Sequence, residues 1–311
     1  MNTTGLLKGL KKVTNLARAT KFQRLLNNPV KYLKAIVFRD FFYARHQRSK
    51  GVVAPTFFGT DMHLLLPAST DIYLTGGKTH DSEIRLAHFL INQLQPGNTF
   101  VDVGAHYGYF SLLAAQLVGP QGLVFAFEAA PATFRILQQN FTGLINAHCR
   151  HNAVADTQGE LVFYEFPNLY SEYNALDINQ FKNEEWYATA PPTAVTVAAV
   201  PLGDFFQQAS LLPQVIKIDV EGAEYNVIKG MQDFLAEHPV LVVMEYLAAH
   251  RSNDEHVLAE KLLRSLGYGT FIIDREGQLA AITDIGSYLV EQGLESDNVV
   301  FKKEGIPAPD Q

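Results

Sequence analysis

From Thr99 to Val103 the chain reads "TFVDV", apolar or β-branched except at Asp102, the pattern of a strand covered on both faces of a sheet. Gly104 and Gly108 then bracket a turn, and Tyr109–Leu117 takes helical spacing. The same change of period recurs along the chain. It predicts strands near 99–103, 123–128, 147–154, 215–219 and 240–246, with helices near 108–117, 132–141, 222–235 and 254–265. Two late strands near 268–274 and 298–302 complete an α/β fold, a mostly parallel seven-stranded sheet with helices on both faces. A helix over 82–94 and a small hairpin region in "TFFGTDMHLLLPASTDIYL" precede it. "GELVFYEF" and "AVTVAAVPL" predict an extra hairpin carrying an inserted loop over about 166–193.

Residues 1–50 predict a helical extension ahead of a domain over 51–311. One apolar stripe is Leu6, Leu10, Val13 and Ala17, another is Leu33, Ile36, Val37 and Phe41, and Pro29 separates them. This segment holds twelve of the 25 Lys and Arg, with Asp40 as its only acid, a balance of +11. The other 261 residues carry 13 basic and 31 acidic side chains, or −18. The body is therefore unsuited to nucleic acid. The basic arm has two readings: peripheral contact with an anionic membrane, or docking on the acidic body or a second subunit of a homo-oligomer.

At 47% hydrophobic the chain can bury a large core. Cys149 is the only cysteine, so no intramolecular disulfide forms, which suits a reducing compartment. No apolar run reaches the roughly 18 residues of a membrane span, and the N-terminal segment lacks the continuous apolar core of a secretory signal. A cytoplasmic protein is expected, peripheral at a membrane if the arm binds lipid.

Glycines at a strand-to-helix turn allow close approach of a ligand, and a helix start has free N–H groups. A dinucleotide fingerprint needs a second glycine two residues after the first, and His106 stands there. Asp102-x-Gly104-x-x-x-Gly108 suits a ligand without pyrophosphate. Glu128, in "VFAFEAAP", closes the second strand 24 residues after Gly104, where a carboxylate can accept both ribose hydroxyls. S-adenosylmethionine meets these conditions better than NAD. The plainer alternative is a tight turn with Glu128 as a solvated strand end.

Residues 55–303 resemble the FkbM family of S-adenosylmethionine-dependent methyltransferases, within the Rossmann-like class I methyltransferase fold. The resemblance rests on "VDVGAHYGYFS", "FAFEAAP", "HNAVADTQGELVFY" and above all "VIKIDVEGAEYNVIKG" at Val215–Gly230. It departs at "VPLGDFF", where the family usually has an acid pair, and at "NLYSEYNAL", where paired serines are common. The resemblance implies that Asp102, Gly104 and Gly108 line the methionine end of the cofactor. Glu128 would hold the ribose, Ala129 lie against adenine and Asn152 contact its edge. Ala105 and His106 belong to the same turn, with the His106 and Tyr107 N–H groups facing the cofactor carboxylate.

Methyl transfer requires alignment and removal of a proton. "KIDVEGAE" places Asp219, Glu221 and Glu224 at the carboxyl end of a strand, and Glu245 ends the next in "VVMEYL". Asp219 is the first candidate base, then Glu221 and Glu245. Glu224 reads equally as a helix cap, and His250 reads as a polar loop residue. Clustered carboxylates also suit a divalent cation, although no metal is expected. The aromatic stretch 166–187 reads as a lid over an acceptor or as a loop packed on itself. The expected activity, carried by the resemblance, is O-methylation of a small-molecule or glycan acceptor, on a sugar or a polyketide-like product. An NAD-dependent oxidoreductase and a non-catalytic binding module are the alternatives.

Overall fold

The computed structural model describes residues 2–182 and 184–303, so residues 304–311, placed at the end of the domain above, lie outside the described residues. β1 (Lys50–Pro55) and β2 (Asp61–Leu66) form an antiparallel hairpin. β3 (Thr99–Val103), β4 (Leu123–Phe127) and β5 (Ala147–Arg150) run parallel in the main sheet. β6 (Ala153–Val154), β7 (Gly159–Glu165) and β8 (Thr193–Val200) make a separate three-stranded sheet. β9 (Val215–Ile218), β10 (Leu241–Leu247), β11 (Tyr268–Ile273), β12 (Leu279–Ile282) and β13 (Ser296–Lys303) complete the main sheet, in the order β12-β11-β13-β10-β9-β3-β4-β5.

The five strands from β10 to β5 are parallel, and the antiparallel group β13, β11, β12 forms one edge. Side chains alternate across the sheet with period two. Phe100, Val215 and Val243 join a core under the helices Asp81–Gln93 and Tyr109–Val118. Val101, Ile216 and Val242 join a second core under Leu202–Ala209, Glu224–Lys229 and Asp254–Ser265. Chain order reverses between β3 and β9, which opens a crevice at their carboxyl ends.

The expected α/β architecture is present, with corrections. The sheet has eight strands, because β12 pairs onto β11 through the turn at Asp274–Gly277. The strand expected over 147–154 is two, since the chain leaves β4 after Arg150 and pairs with β8 from Ala153. The helix expected over 222–235 is also two, Glu224–Lys229 and Gln232–Glu237, because Met231 leaves helical geometry (φ −134) to enter the core. The first hairpin begins at Lys50, and Thr70–Thr75 in the same region is helical.

In the N-terminal segment the helix Thr3–Arg18 buries Leu6, Leu10 and Val13, with Ala17 half-buried, and Leu6 and Leu10 join the core shared with Asp81–Gln93. The Arg24 side chain donates to the carbonyls of Leu16 and Ala17, closing that helix end. Pro29 starts the helix Pro29–Val37, which continues through a π-helical turn, Phe38–Tyr43, to His46. Most of the second stripe does not pack: Ala35 and Tyr43 face inward and Ile36 is half-buried, while Leu33, Val37 and Phe41 face solvent. No helix among the described residues is long and apolar enough to cross a membrane.

Candidate active site

Gly104 takes φ +77 directly after β3, and a Cβ there would stand 1.8 Å from the Asp219 carbonyl oxygen. The glycine is required because the end of β9 crosses behind it. Gly108 takes φ +85 with its α-hydrogens against Leu137 and Phe141, so this position answers to the core. Gly104 reaches the crevice; Asp102, Ala105 and Gly108 do not line it. Asp102 lies beneath, almost fully buried, accepting a 2.6 Å hydrogen bond from Ser111 Oγ and standing 3.4 Å from Lys217 Nζ. Ala105 is buried with its N–H on the Phe127 carbonyl.

Four of the turn's amides are already used within the protein, while the Tyr107 N–H has no partner among the described residues. Gly104 and Ala105 donate to Phe127 O, Gly108 to Ala105 O, and His106 to Glu128 Oε2 at 2.8 Å. The amide contact expected of His106 is therefore already used, and its side chain faces the crevice instead. His106 Nε2 lies 3.0 Å from Ser171 Oγ, and burial pushes the ring down to about 4, keeping it neutral at pH 7. A neutral ring does not repel a cationic ligand.

Glu128 closes β4 with both carboxylate oxygens engaged, Oε2 by His106 and Oε1 by Ala130 N–H at 2.9 Å. Burial nevertheless pushes it up to about 7. Its remaining lone pairs face a cavity of about 390 Å³. Beside it, Ala129, Ala153, Val154, Phe163 and Leu176 form an apolar slot with Asn152 at its edge. Asn152 stands at the corner between β5 and β6, its Nδ2 3.4 Å from Ala198 O.

The opposite wall holds the acids. Asp219, Glu221 and Glu245 each bring one carboxylate oxygen within 4.8 Å of the others, near enough to share a divalent cation. Lys217 supplies a fixed cation there, with Nζ 3.1 Å from Asp219 Oδ2. Burial opposes its charge, yet Asp219 and Asp102 raise its pKa above the usual lysine value. Lys217 in turn holds Asp219 below the usual carboxylate range against the burial that would raise it. Burial and the neighbouring carboxylates push Glu245 up to about 8 and Glu221 well above its ordinary value. Ser296 Oγ donates to Glu245 Oε1 at 2.8 Å. Glu224 points away, buried, accepting from Gly222 N–H at 3.1 Å and standing 3.4 Å from His256 Nε2. His250 is an exposed partner of Glu295.

The segment 166–187 packs on itself, and part of it also lines the cavity. Trp186 stacks on Tyr170 at 4.2 Å and on Tyr173 at 5.3 Å, around a small core of Phe166, Ala175 and Phe181. Its face from Ser171 to Asn174, with Leu176, closes over the cavity. Glu172 anchors this lid through Lys78 Nζ at 2.6 Å, and Lys78 also meets Glu83 at 2.9 Å. The sequence reading missed Lys78, Glu172, Lys217 and Ser296. For Lys217 a signal existed: a lysine inside the four-residue apolar run "VIKI" is buried only with a partner.

Residues 102–269, more than half of the chain, match the family described as the methyltransferase FkbM domain. The chain belongs to the FkbM methyltransferase family. Methyltransferase 1 of Beauveria bassiana is 30% identical over 190 residues, 57% of this chain and 75% of that protein. The 31-O-demethyl-FK506 methyltransferase FkbM of Streptomyces tacrolimicus is 28% identical over 214 residues, 62% of this chain and 80% of that one. Among solved structures, an S-adenosylmethionine-dependent O-methyltransferase of Thermotoga maritima aligns at 15% identity over 84% of this chain and 80% of its own, with a TM-score of 0.38. The protein is thus a methyltransferase with S-adenosylmethionine as cofactor, which sets aside the oxidoreductase and the non-catalytic module. The residues present fit that cofactor: a buried carboxylate beside an apolar slot, and an acid-rich wall matched to a sulfonium.

Proposed function

We propose that this methyltransferase methylates a hydroxyl of a small polyketide-like or glycosylated acceptor, with Glu245 as the base. Bound S-adenosylmethionine supplies a methyl group already activated by its sulfonium, so the protein needs only to align the oxygen and receive its proton. Glu128 would hold the ribose hydroxyls, Ala129 and its apolar neighbours would flank the adenine, and Asn152 would meet its edge. On the other wall the three candidate acids differ in basicity. Asp219 is tied to Lys217 and is a weak base. Glu245, pushed up to about 8, is the stronger base once ionised, a form that fills as the pH rises toward that value, and Ser296 orients it to take the hydroxyl proton. That carboxyl, set among Asp219 and Glu221 at the cavity wall, is the observation that carries the proposal. The relative from Streptomyces tacrolimicus, whose name describes an O-demethyl substrate, supports oxygen as the nucleophile.

The test is transfer from methyl-labelled cofactor to a panel of hydroxylated macrolides and glycosides, with product mapped by NMR. A new O-methyl group is expected, and Glu245→Gln should lower kcat by about 10²–10⁴-fold with cofactor affinity little changed. Methylation confined to nitrogen overturns the acceptor class, and full turnover by Glu245→Gln overturns the base. EDTA should leave the rate unchanged; loss of activity restored by Mg²⁺ would instead place a metal between the three acids.

A further inference from the structure

The N-terminal segment divides at Thr20. Before it, the helix Thr3–Arg18 is fastened to the body. After it, large apolar side chains stand in solvent: Phe22 is 66% exposed, Leu26 62%, Val30 62%, Leu33 54% and Phe41 71%. Phe22 and Leu26 lie one turn apart on the helix Lys21–Asn27, and after the break at Asn28 Val30, Leu33, Val37 and Phe41 follow at i, i+3, i+7 and i+11 along the next, so each set shares a face. Phe42, at 58%, widens the second. Residues 21–50 carry eight Lys and Arg against Asp40 alone, a balance of +7, and Lys21, Lys34, Arg45, Arg48 and Lys50 are exposed.

We propose that residues 21–46 form a membrane-docking surface that lies in the interface of an anionic bilayer. An aromatic and aliphatic stripe flanked by cations matches such an interface in both its layers, the apolar groups entering the acyl boundary and the cations meeting the headgroups. A second copy of this chain fits less well. Other large exposed hydrophobics among the described residues, such as Val53, Ile145, Leu212 and Val290, are scattered through the chain. The apolar surface available for pairing is then the stripe itself, and a two-fold contact would set +7 against +7. The rest of the body is acidic and turns away from an anionic surface, which orients the molecule.

The stripe is also joined to the segment whose residues 171–174 line the cavity. Tyr43, buried at its end, accepts a 3.1 Å hydrogen bond from the Leu169 N–H of the lid, and the neighbouring Asn168 donates to the Tyr107 hydroxyl at 2.9 Å. Docking therefore sets the lid beside the bilayer.

Flotation of the full chain with phosphatidylcholine vesicles, with and without about a quarter phosphatidylglycerol, tests this surface independently of turnover. At low salt the protein should float with the anionic vesicles at least about tenfold more than with the neutral ones, and high salt should reverse most of the difference. Phe41→Ser with Phe42→Ser, and separately Arg45→Glu with Arg48→Glu, should each abolish flotation while melting temperature and cofactor binding stay as in the parent. If one pair fails to fold, the other carries the test. Parent protein that ignores anionic vesicles, or folded variants that float as well as the parent, overturns the proposal. A dimer seen by light scattering that the Phe41/Phe42 pair dissociates, without vesicle binding, assigns the stripe to a second copy instead.

Discussion

Gly104 shows how one missing side chain holds the site together. Its φ of +77 and the 1.8 Å separation between a built Cβ and the Asp219 carbonyl oxygen mean that any substitution must push β3 and β9 apart. That boundary sets the distance from the Glu128 wall to the acid wall, so packing and chemistry share the same constraint. Gly104→Ala should cost about 3 kcal/mol or more, read as a lower urea midpoint. Gly293→Ala is the control: its left-handed φ of +63 and ψ of +38 are strained, but nothing lies within 4 Å of the added methyl. It should cost about 1 kcal/mol. Equal losses at the two positions would show that backbone strain, and not the Asp219 approach, decides the first. The sequence marked Gly104 as special, but it suggested a ligand as the cause. The glycine pattern is local, whereas the carbonyl that demands it arrives from Asp219, over a hundred residues further on.

At the scale of elements, β9 and β10 end in three carboxyls with one lysine between them and the core. Carboxyls raised by the fold make stability depend on pH, Glu221 on the acid wall among them. Glu245, pushed up to about 8, and Glu128, at about 7, are raised above their unfolded values. Their contribution is therefore complete below the ordinary carboxylate range and is lost as pH rises through about 7 to 8. Asp219 is lowered and acts in the opposite sense, losing its contribution only as the pH falls below the ordinary aspartate range. The ligand-free protein should thus melt lower at about pH 9 than at about pH 6, by roughly 1–2 kcal/mol after allowance for the solvent that screens a cavity wall. Glu245→Gln should flatten that slope in calorimetric scans. A slope that rises with pH, or is unaffected by the substitution, would mean that Glu245 is ionised in the free protein. The acids were legible in "KIDVEGAE" and "VVMEYL" because strand ends and helix starts leave local signatures. Their division into ionised and protonated groups was not, because it depends on which of them Lys217 reaches.

For the whole molecule, the arm is part fastener and part outer surface. Leu10, 3% exposed in the core that includes Leu86, Leu90 and Leu113, ties the first helix to the sheet. Leu10→Ala should cost about 2–5 kcal/mol in urea unfolding. Leu33→Ala, on the outward stripe, should change stability by less than about 0.5 kcal/mol. If both substitutions cost the same, the stripe is packed in solution. Both stripes look alike in sequence, since each is apolar at helical spacing and rich in lysine. The difference lies in what meets them: Asp81–Gln93 offers an apolar face to Leu6 and Leu10, while the later helix turns Ala35 and Tyr43 inward.

What the sequence determined by itself is what short-range physics writes into neighbouring residues. Alternation of period two and spacing of 3.6 specified the order of strands and helices, and Gly104 with Glu128 and the strand-end acids marked the crevice. Tertiary structure decided what joins distant segments. It carried the His106 N–H to Glu128, brought Arg85 to Asp297 across 212 positions, and set Glu172 on Lys78 across 94. It also placed Asp102 and Gly108 in the core and not on the crevice wall. A buried polar atom must find a partner wherever the fold brings one, and no local pattern encodes which partner that will be.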